Sequence, residues 1–274
     1  MRIAFLAATV LLACASASAQ DAPRPLRVML VGNSLTYTNN LPAILRAIGR
    51  ANGTPITTQT WADPGGTLSE RWQEGHLQRT LREERFDVVV LQERGGTLAC
   101  MASLREQRTA PCAASARVQR DAAELARAAG ARTLLFATWG PDKRWQARLD
   151  RGINVVAGQA GAKVFDAAGA LAALEAAQPQ ARLLPDGTHP STQASLMLGL
   201  ALYRAVTGQA PQARELRIDA PLLPVNAAVS SAEPLETQAG LRGDGKVVVV
   251  PAAFVEPLVA ALPDDTAPQG RGAR

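Results

Sequence analysis

The sequence predicts an α/β protein, a mostly parallel sheet of about five strands with helices on both faces. Three observations carry this. Short β-rich apolar runs alternate with longer helical patterns over most of the chain. Two of those runs, "DVVVL" and "TLLFA", are continuously apolar, as strands buried on both faces are. With 274 residues, 47% of them hydrophobic, the chain has material for one large domain and an appendage.

The strand candidates in order are "LRVMLVG" at 26–32, "PITTQTWA" at 55–62, "FDVVVLQ" at 86–92, "RTLLFATWG" at 132–140 and a weaker "AKVFDA" at 162–167. Helical patterns fall between them at 40–51, 68–84, 114–129, 142–159 and 168–178. A last long helix, 191–208, follows "LPDGTHP". Its start is well marked, because Pro190 suits a first helical turn and keeps His189 extended outside it. The core domain is therefore expected over 24–208. Residues 209–274 turn rich in Pro and Ala, hold one strand candidate, "KVVVVP", and end in "DDTAPQGRGAR". They read as an appendage packed on the main domain, with a flexible tail. No internal repeat is present.

Residues 1–19 have the three parts of a secretory signal: Arg2, an apolar run from Ile3 to Ala13, and a small-residue exit at Ala17, Ser18 and Ala19. The alternative is a lipoprotein box, "LLAC", with Cys14 lipidated. No later segment reaches the ~20 apolar residues of a membrane-spanning helix. An exported protein, periplasmic or secreted, is the expectation. Removing the leader takes away one Arg and no acid, so the net charge falls from +5 to +4. The basic residues are interleaved with acids, as in "SERWQEGHLQRTLREER", and read as solvated helix faces; nucleic acid is not an expected partner.

Two cysteines remain after the leader, Cys100 and Cys112, around the polar, turn-rich "CMASLREQRTAPC". An oxidising compartment favours their pairing over two free thiols. Only two histidines are present, far apart, so with the cysteines paired no metal-ligand set stands out and none is expected.

In a parallel sheet the loops after the strands line one rim, where ligands bind. Here those loops are "GNSLT", "DPGGT", "QERGG" and "WGPDK". Ser34 lies in the first, at a strand-to-turn junction where a hydroxyl can be presented. A serine needs a base to take its proton. His76 sits in a charged helical stretch and reads as a surface residue, whereas His189 stands three residues after Asp186 in one loop. That spacing lets the carboxylate fold back onto the imidazole and fix its tautomer. Acyl transfer also needs oxyanion donors. "DPGGT" offers glycine amides, and Gln92, ending the third strand, offers a side-chain amide.

Together these segments resemble an SGNH/GDSL-type hydrolase of the subgroup with a GNS start. The likeness runs from residue 28 to about 207, with the motifs in the family's order. "VGNSLT" resembles block I, with Ser34 as nucleophile. "PGGT" resembles block II, whose Gly-x-Thr spacing points to Gly65 as an oxyanion donor. "PDGTHPS" resembles block V, with Asp186 and His189. Block III departs: the family's Gly-x-Asn-Asp is replaced by "VLQERGG", leaving Gln92, Glu93 or a main-chain group as the third donor.

The resemblance implies a flavodoxin-like three-layer α/β/α fold and hydrolysis of an ester without a cofactor. In that reaction His189 deprotonates Ser34, the N–H groups of Ser34 and Gly65, with Gln92, hold the oxyanion, and Asp186 orients His189. Trp61 and Trp139, at the ends of the second and fourth strands, are candidates to line the pocket, with corner packing as the alternative. The expected substrate is a small-molecule or carbohydrate ester. Two other readings stand beside it: a non-catalytic domain that keeps the fold and binds acylated or glycosidic ligands, suggested by the missing block III Asn, and an acyltransferase that uses the same residues. Oligomeric state is not legible in the sequence.

Overall fold

Along the first strand candidate the side chains divide cleanly: Val28 and Leu30 join one buried cluster, Met29 and Val31 the other. This period of two is what a strand with helices on both faces requires. The computed structural model describes residues 24–263. The expected leader, Cys14 and the segment "DDTAPQGRGAR" lie outside the described residues.

Five strands form the sheet: β1 (Leu26–Gly32), β2 (Ile56–Ala62), β3 (Val88–Leu91), β4 (Arg132–Phe136) and β5 (Lys163–Phe165). All pair in parallel, in the order β2-β1-β3-β4-β5. The expected strands are thus present; β4 ends at Phe136, leaving Trp139 and Gly140 in the loop.

The helices, in chain order, are α1 (Ser34–Tyr37), α2 (Leu41–Ala51), α3 (Leu68–Gln73), α4 (His76–Glu83), α5 (Gly95–Ala99), α6 (Ala110–Ala128), α7 (Lys143–Ala160), α8 (Ala167–Ala177), α9 (Thr192–Thr207) and α10 (Ala252–Ala260). On one face α2, α8 and α9 pack over Val28, Leu30, Val88, Val90, Leu134 and Phe136. On the other, α3, α4, α6 and α7 cover Met29, Val31, Val89, Leu91 and Leu135. The continuous helix expected over 68–84 is instead two, broken at Gly75, whose φ of +76° is left-handed and ends one helix as it opens the next.

Beyond α9, β6 (Leu216–Ile218) and β7 (Val248–Val250) pair antiparallel. Leu216, Ile218, Val255 and Leu258 are buried in the same cluster as α2 and α9. Leu235 N–H donates to the Thr60 carbonyl of β2 at 2.8 Å, so this part of the chain also covers the outer edge of the sheet. Among the described residues no helix is long and apolar enough to cross a membrane.

Candidate active site

The strand order reverses at β1, which has β2 on one side and β3 on the other. Loops leaving such a point diverge and open a crevice at the C-terminal rim. Ser34 starts α1 there, directly after β1, capped by Asn33, whose Oδ1 accepts the Leu35 N–H at 3.1 Å.

The 186–189 turn comes to Ser34 from 155 residues away: His189 Nε2 lies 2.9 Å from Ser34 Oγ. On the other side of the ring, Nδ1 lies 2.7 Å from Asp186 Oδ2. A carboxylate only accepts, so Nδ1 carries the proton and Nε2 is free to accept from the serine hydroxyl. Asp186 Oδ1 also accepts the N–H groups of Thr188 at 2.9 Å and His189 at 2.7 Å, which closes the turn on itself. The His189 N–H, the His189 ring and the Thr188 N–H together hold the Asp186 carboxyl well below the usual carboxylate range.

The second rim loop brings Gly65 into the open, while Gly66 is buried, its N–H bonded to Asp63 O at 3.1 Å and its carbonyl to Asn33 Nδ2 at 3.1 Å. The N–H groups of Ser34 and Gly65 have no hydrogen-bond acceptor among the described residues.

Gln92 corrects the expectation of a side-chain oxyanion donor. Its carboxamide is 1% exposed and turned into the fold, with Oε1 accepting from Asn33 N–H at 2.8 Å and Thr36 Oγ1 at 3.0 Å, and Nε2 donating to Glu93 O at 2.9 Å. The alternative, Glu93, is equally buried and occupied: it accepts from Arg94 N–H at 2.7 Å, Leu68 N–H at 3.3 Å and Ser115 Oγ at 2.5 Å. Both side chains after β3 brace the rim from below.

Trp61 likewise departs from a pocket-lining place. It is 8% exposed, packed with the α3/α4/α6/α7 core and stacked on the half-buried His76 at 5.3 Å. Trp139 is half-buried, its ring 6.3 Å from Phe136 and its indole N–H donated to the Thr188 carbonyl at 2.8 Å. Cys100 and Cys112 are joined by a disulfide that closes the loop after α5 onto α6. Among the described residues no group of three His, Cys, Asp or Glu is placed to hold a metal ion.

Asn39 escaped the sequence reading although the Asn-Asn pair was a visible signal of left-handed backbone. Its carboxamide reaches Pro190 O, next to His189.

No family model matches the chain, and no curated protein matches it. Solved structures do. A protein from Slackia heliotrinireducens assigned as an SGNH hydrolase aligns over 66% of this chain and 98% of its own, at 27% identity and a TM-score of 0.53. TesA aligns over 66% of this chain and 98% of its own, at 21% identity and a TM-score of 0.51. Axe2, an acetylxylan esterase from Geobacillus stearothermophilus, aligns over 69% and 97%, at 13% identity and a TM-score of 0.53. The part of this chain that aligns with them includes its five-stranded parallel sheet in the order 2-1-3-4-5, flanked by helices, which matches the SGNH hydrolase structure. The chain thus shares its fold with these neighbours, one of them assigned as an SGNH hydrolase, and has the SGNH hydrolase fold.

Proposed function

We propose that this chain is an exported serine esterase, with a GNS-type start, that hydrolyses an acyl or acetyl ester on a carbohydrate or small lipid. The observation that carries the reading is the line Ser34 Oγ, His189 Nε2, His189 Nδ1, Asp186 Oδ2, with gaps of 2.9 and 2.7 Å. That is the nucleophile, base and orienter geometry of acyl transfer.

In the proposed reaction His189 Nε2 takes the Ser34 hydroxyl proton as Oγ bonds to the acyl carbon. The carbonyl electrons move onto oxygen, where the N–H groups of Ser34 and Gly65 donate to it. The carbonyl re-forms as the ester C–O bond breaks, and His189 gives its proton to the departing alcohol. Water then attacks the acyl-enzyme with the same base and frees Ser34. Asp186 stays ionised throughout and stabilises the imidazolium. Export is supported by the leader-like first nineteen residues and by the Cys100–Cys112 bridge.

With Gln92 and Glu93 committed elsewhere, the hole rests on main-chain donors. Loss of one donor costs about 10²–10³ in rate, a weaker enzyme and not an inert one.

The test is turnover of short-chain nitrophenyl esters and labelling by a serine-reactive phosphonate, comparing wild type with Ser34→Ala and His189→Ala. Wild type should label and turn over, and both variants should lose at least about 10³-fold. Wild type that behaves like the variants would leave a binding domain instead. An acylated sugar formed in preference to free acid, with a sugar acceptor present, would mark an acyltransferase.

A further inference from the structure

The turn that carries His189 is closed internally by the three bonds to Asp186, so it can move as one body. Nothing within it sets its distance from Ser34. Backbone bonds tie it to the chain before it, Gly187 N–H to Leu184 O at 3.1 Å and Ser191 N–H to Leu183 O at 2.7 Å, and two side chains from distant parts of the fold hold its flanks. On the N-terminal side, the Thr188 carbonyl accepts the Trp139 indole N–H at 2.8 Å. On the C-terminal side, the Pro190 carbonyl accepts the Asn39 side-chain amide at 2.8 Å. The two carbonyls that flank His189 are thus each held by a side chain from a different segment, Asn39 from the turn between α1 and α2 and Trp139 from the loop after β4.

Asn39 is built for this. Its backbone is left-handed, with φ of 54°, and Asn40 beside it has φ of 57°. Consecutive non-glycine residues in that region persist only where surrounding contacts over-determine them. For Asn39 those contacts all go to partners distant in sequence. Besides Pro190 O, its Nδ2 donates to Ser195 Oγ at 3.0 Å, its Oδ1 accepts from Thr192 Oγ1 at 3.3 Å, and its backbone N–H donates to Leu223 O at 2.8 Å. Asn39 also lies five residues after Ser34, so one short segment presents the nucleophile and grips the loop of its base.

We propose that Asn39 and Trp139 are positioning residues that clamp the Asp186–His189 turn at hydrogen-bonding distance from Ser34. This rests on the reading of His189 as the base of Ser34.

The substitutions are chosen to spare the backbone and the packing. Asn39→Gly keeps the left-handed conformation and drops the carboxamide. Trp139→Phe keeps an aromatic ring against Phe136 and drops the N–H. Each should lower kcat on a short-chain nitrophenyl ester about tenfold, given that misplacement by about 1 Å can cost 10²-fold. KM should stay within about twofold, since both grips act on the base loop. The acid midpoint of kcat/KM should not move, because the Asp186–His189 pair stays intact. The double variant should lose more than the product of the singles, each grip partly holding the loop when alone. Amide exchange in the 186–191 peptide should accelerate in both single variants while the thermal midpoint changes little.

Unchanged kcat, a loss confined to KM, a shifted acid midpoint, or exchange no faster than wild type would each overturn the clamp. If Asn39→Gly does not fold, Trp139→Phe decides it. Wild type without Ser34-dependent turnover would sink the esterase reading, and the exchange rates would then still decide whether the two side chains hold the loop.

Discussion

The side-chain oxygen of Gln92 lies 2.8 Å from the backbone nitrogen of Asn33, the residue before Ser34. The end of β3 therefore holds the nucleophile's turn from beneath. Gly32 belongs to the same device: a Cβ there would lie 2.2 Å from Thr36 Oγ1 and 2.6 Å from Gln92 Oε1. Glycine at 32 is what lets the carboxamide come close enough to cap Asn33.

Gln92→Leu should leave the buried Asn33 N–H without its acceptor, a loss of about 1–3 kcal/mol. Gly32→Ala should cost a similar ~1–3 kcal/mol through overpacking. Both should also lower kcat through the displaced serine turn. Urea melts beside ester turnover check the pair. Wild-type stability in Gly32→Ala would mean that the Gln92 carboxamide does not pack against Gly32.

Glu93 gives a pH signature. Burial pushes its carboxyl up, against the opposing bonds from Ser115, Arg94 and Leu68, and Glu70 adds to the rise. A carboxyl with a raised folded pKa binds more protons folded than unfolded between the two values. Its stabilising contribution is therefore full below the ordinary carboxylate value of about 4.3 and is lost as pH rises through the folded value. Glu93→Gln removes that titration. Relative to the variant, wild type should lose stability as pH rises above about 4.5, read as a falling difference in Tm. A difference flat with pH would mean that Glu93 is ionised in both states.

Much of this was legible in the chain. The strands were visible because both faces of β3 and β4 are buried, which leaves no polar alternation to confuse the period. Ser34, Asp186 and His189 were visible because only one histidine stood in a loop with a carboxylate three residues before it. The place of Gln92 is not legible because a sequence gives the residue at a strand end but not which way its amide turns, and here the Asn33 N–H and the Thr36 hydroxyl bind it inward through the room that glycine leaves at 32. Trp61 takes the packing alternative: it alternates onto the face covered by α4, where His76 stacks on it. The grips of Asn39 and Trp139 join residues 151 and 49 positions from their acceptors, which no local pattern records.

The Cys100–Cys112 bridge spans a sequence separation of 12. Closing a loop of this size removes enough unfolded-chain entropy for about 3 kcal/mol. Cys112 is itself buried against the core that covers Met29 and Val31. Reduction should lower Tm in wild type and leave a Cys100→Ser, Cys112→Ser double variant unmoved. Equal Tm with and without reductant in wild type would mean that the bridge does not form.

The last prediction concerns the residues after α9. Glu236 accepts from Thr60 N–H at 2.8 Å and from the hydroxyls of Thr58 and Thr60 at 2.7 Å each. Its carboxylate lies 3.7 Å from the guanidinium of Arg46, whose pKa burial lowers against the opposing pull of Glu236 and Asp219. Glu236 thus satisfies the outer edge of β2, and Glu236→Ala should cost about 1.5–3 kcal/mol for the charged hydrogen bonds lost. A larger consequence follows from the core. Leu216, Ile218, Val255 and Leu258 are each fully buried with α2 and α9. Full burial of such a side chain is worth roughly 1.5–3 kcal/mol, so the four together approach the 5–15 kcal/mol that is a domain's whole stability. A chain ending at Gly208 would expose their partners and free the β2 edge for pairing with other chains. It should be insoluble or lack a cooperative thermal transition, while the chain through residue 263 melts as one unit. A 24–208 fragment that melts cooperatively near the wild-type Tm would show that residues 209–263 are a separable appendage.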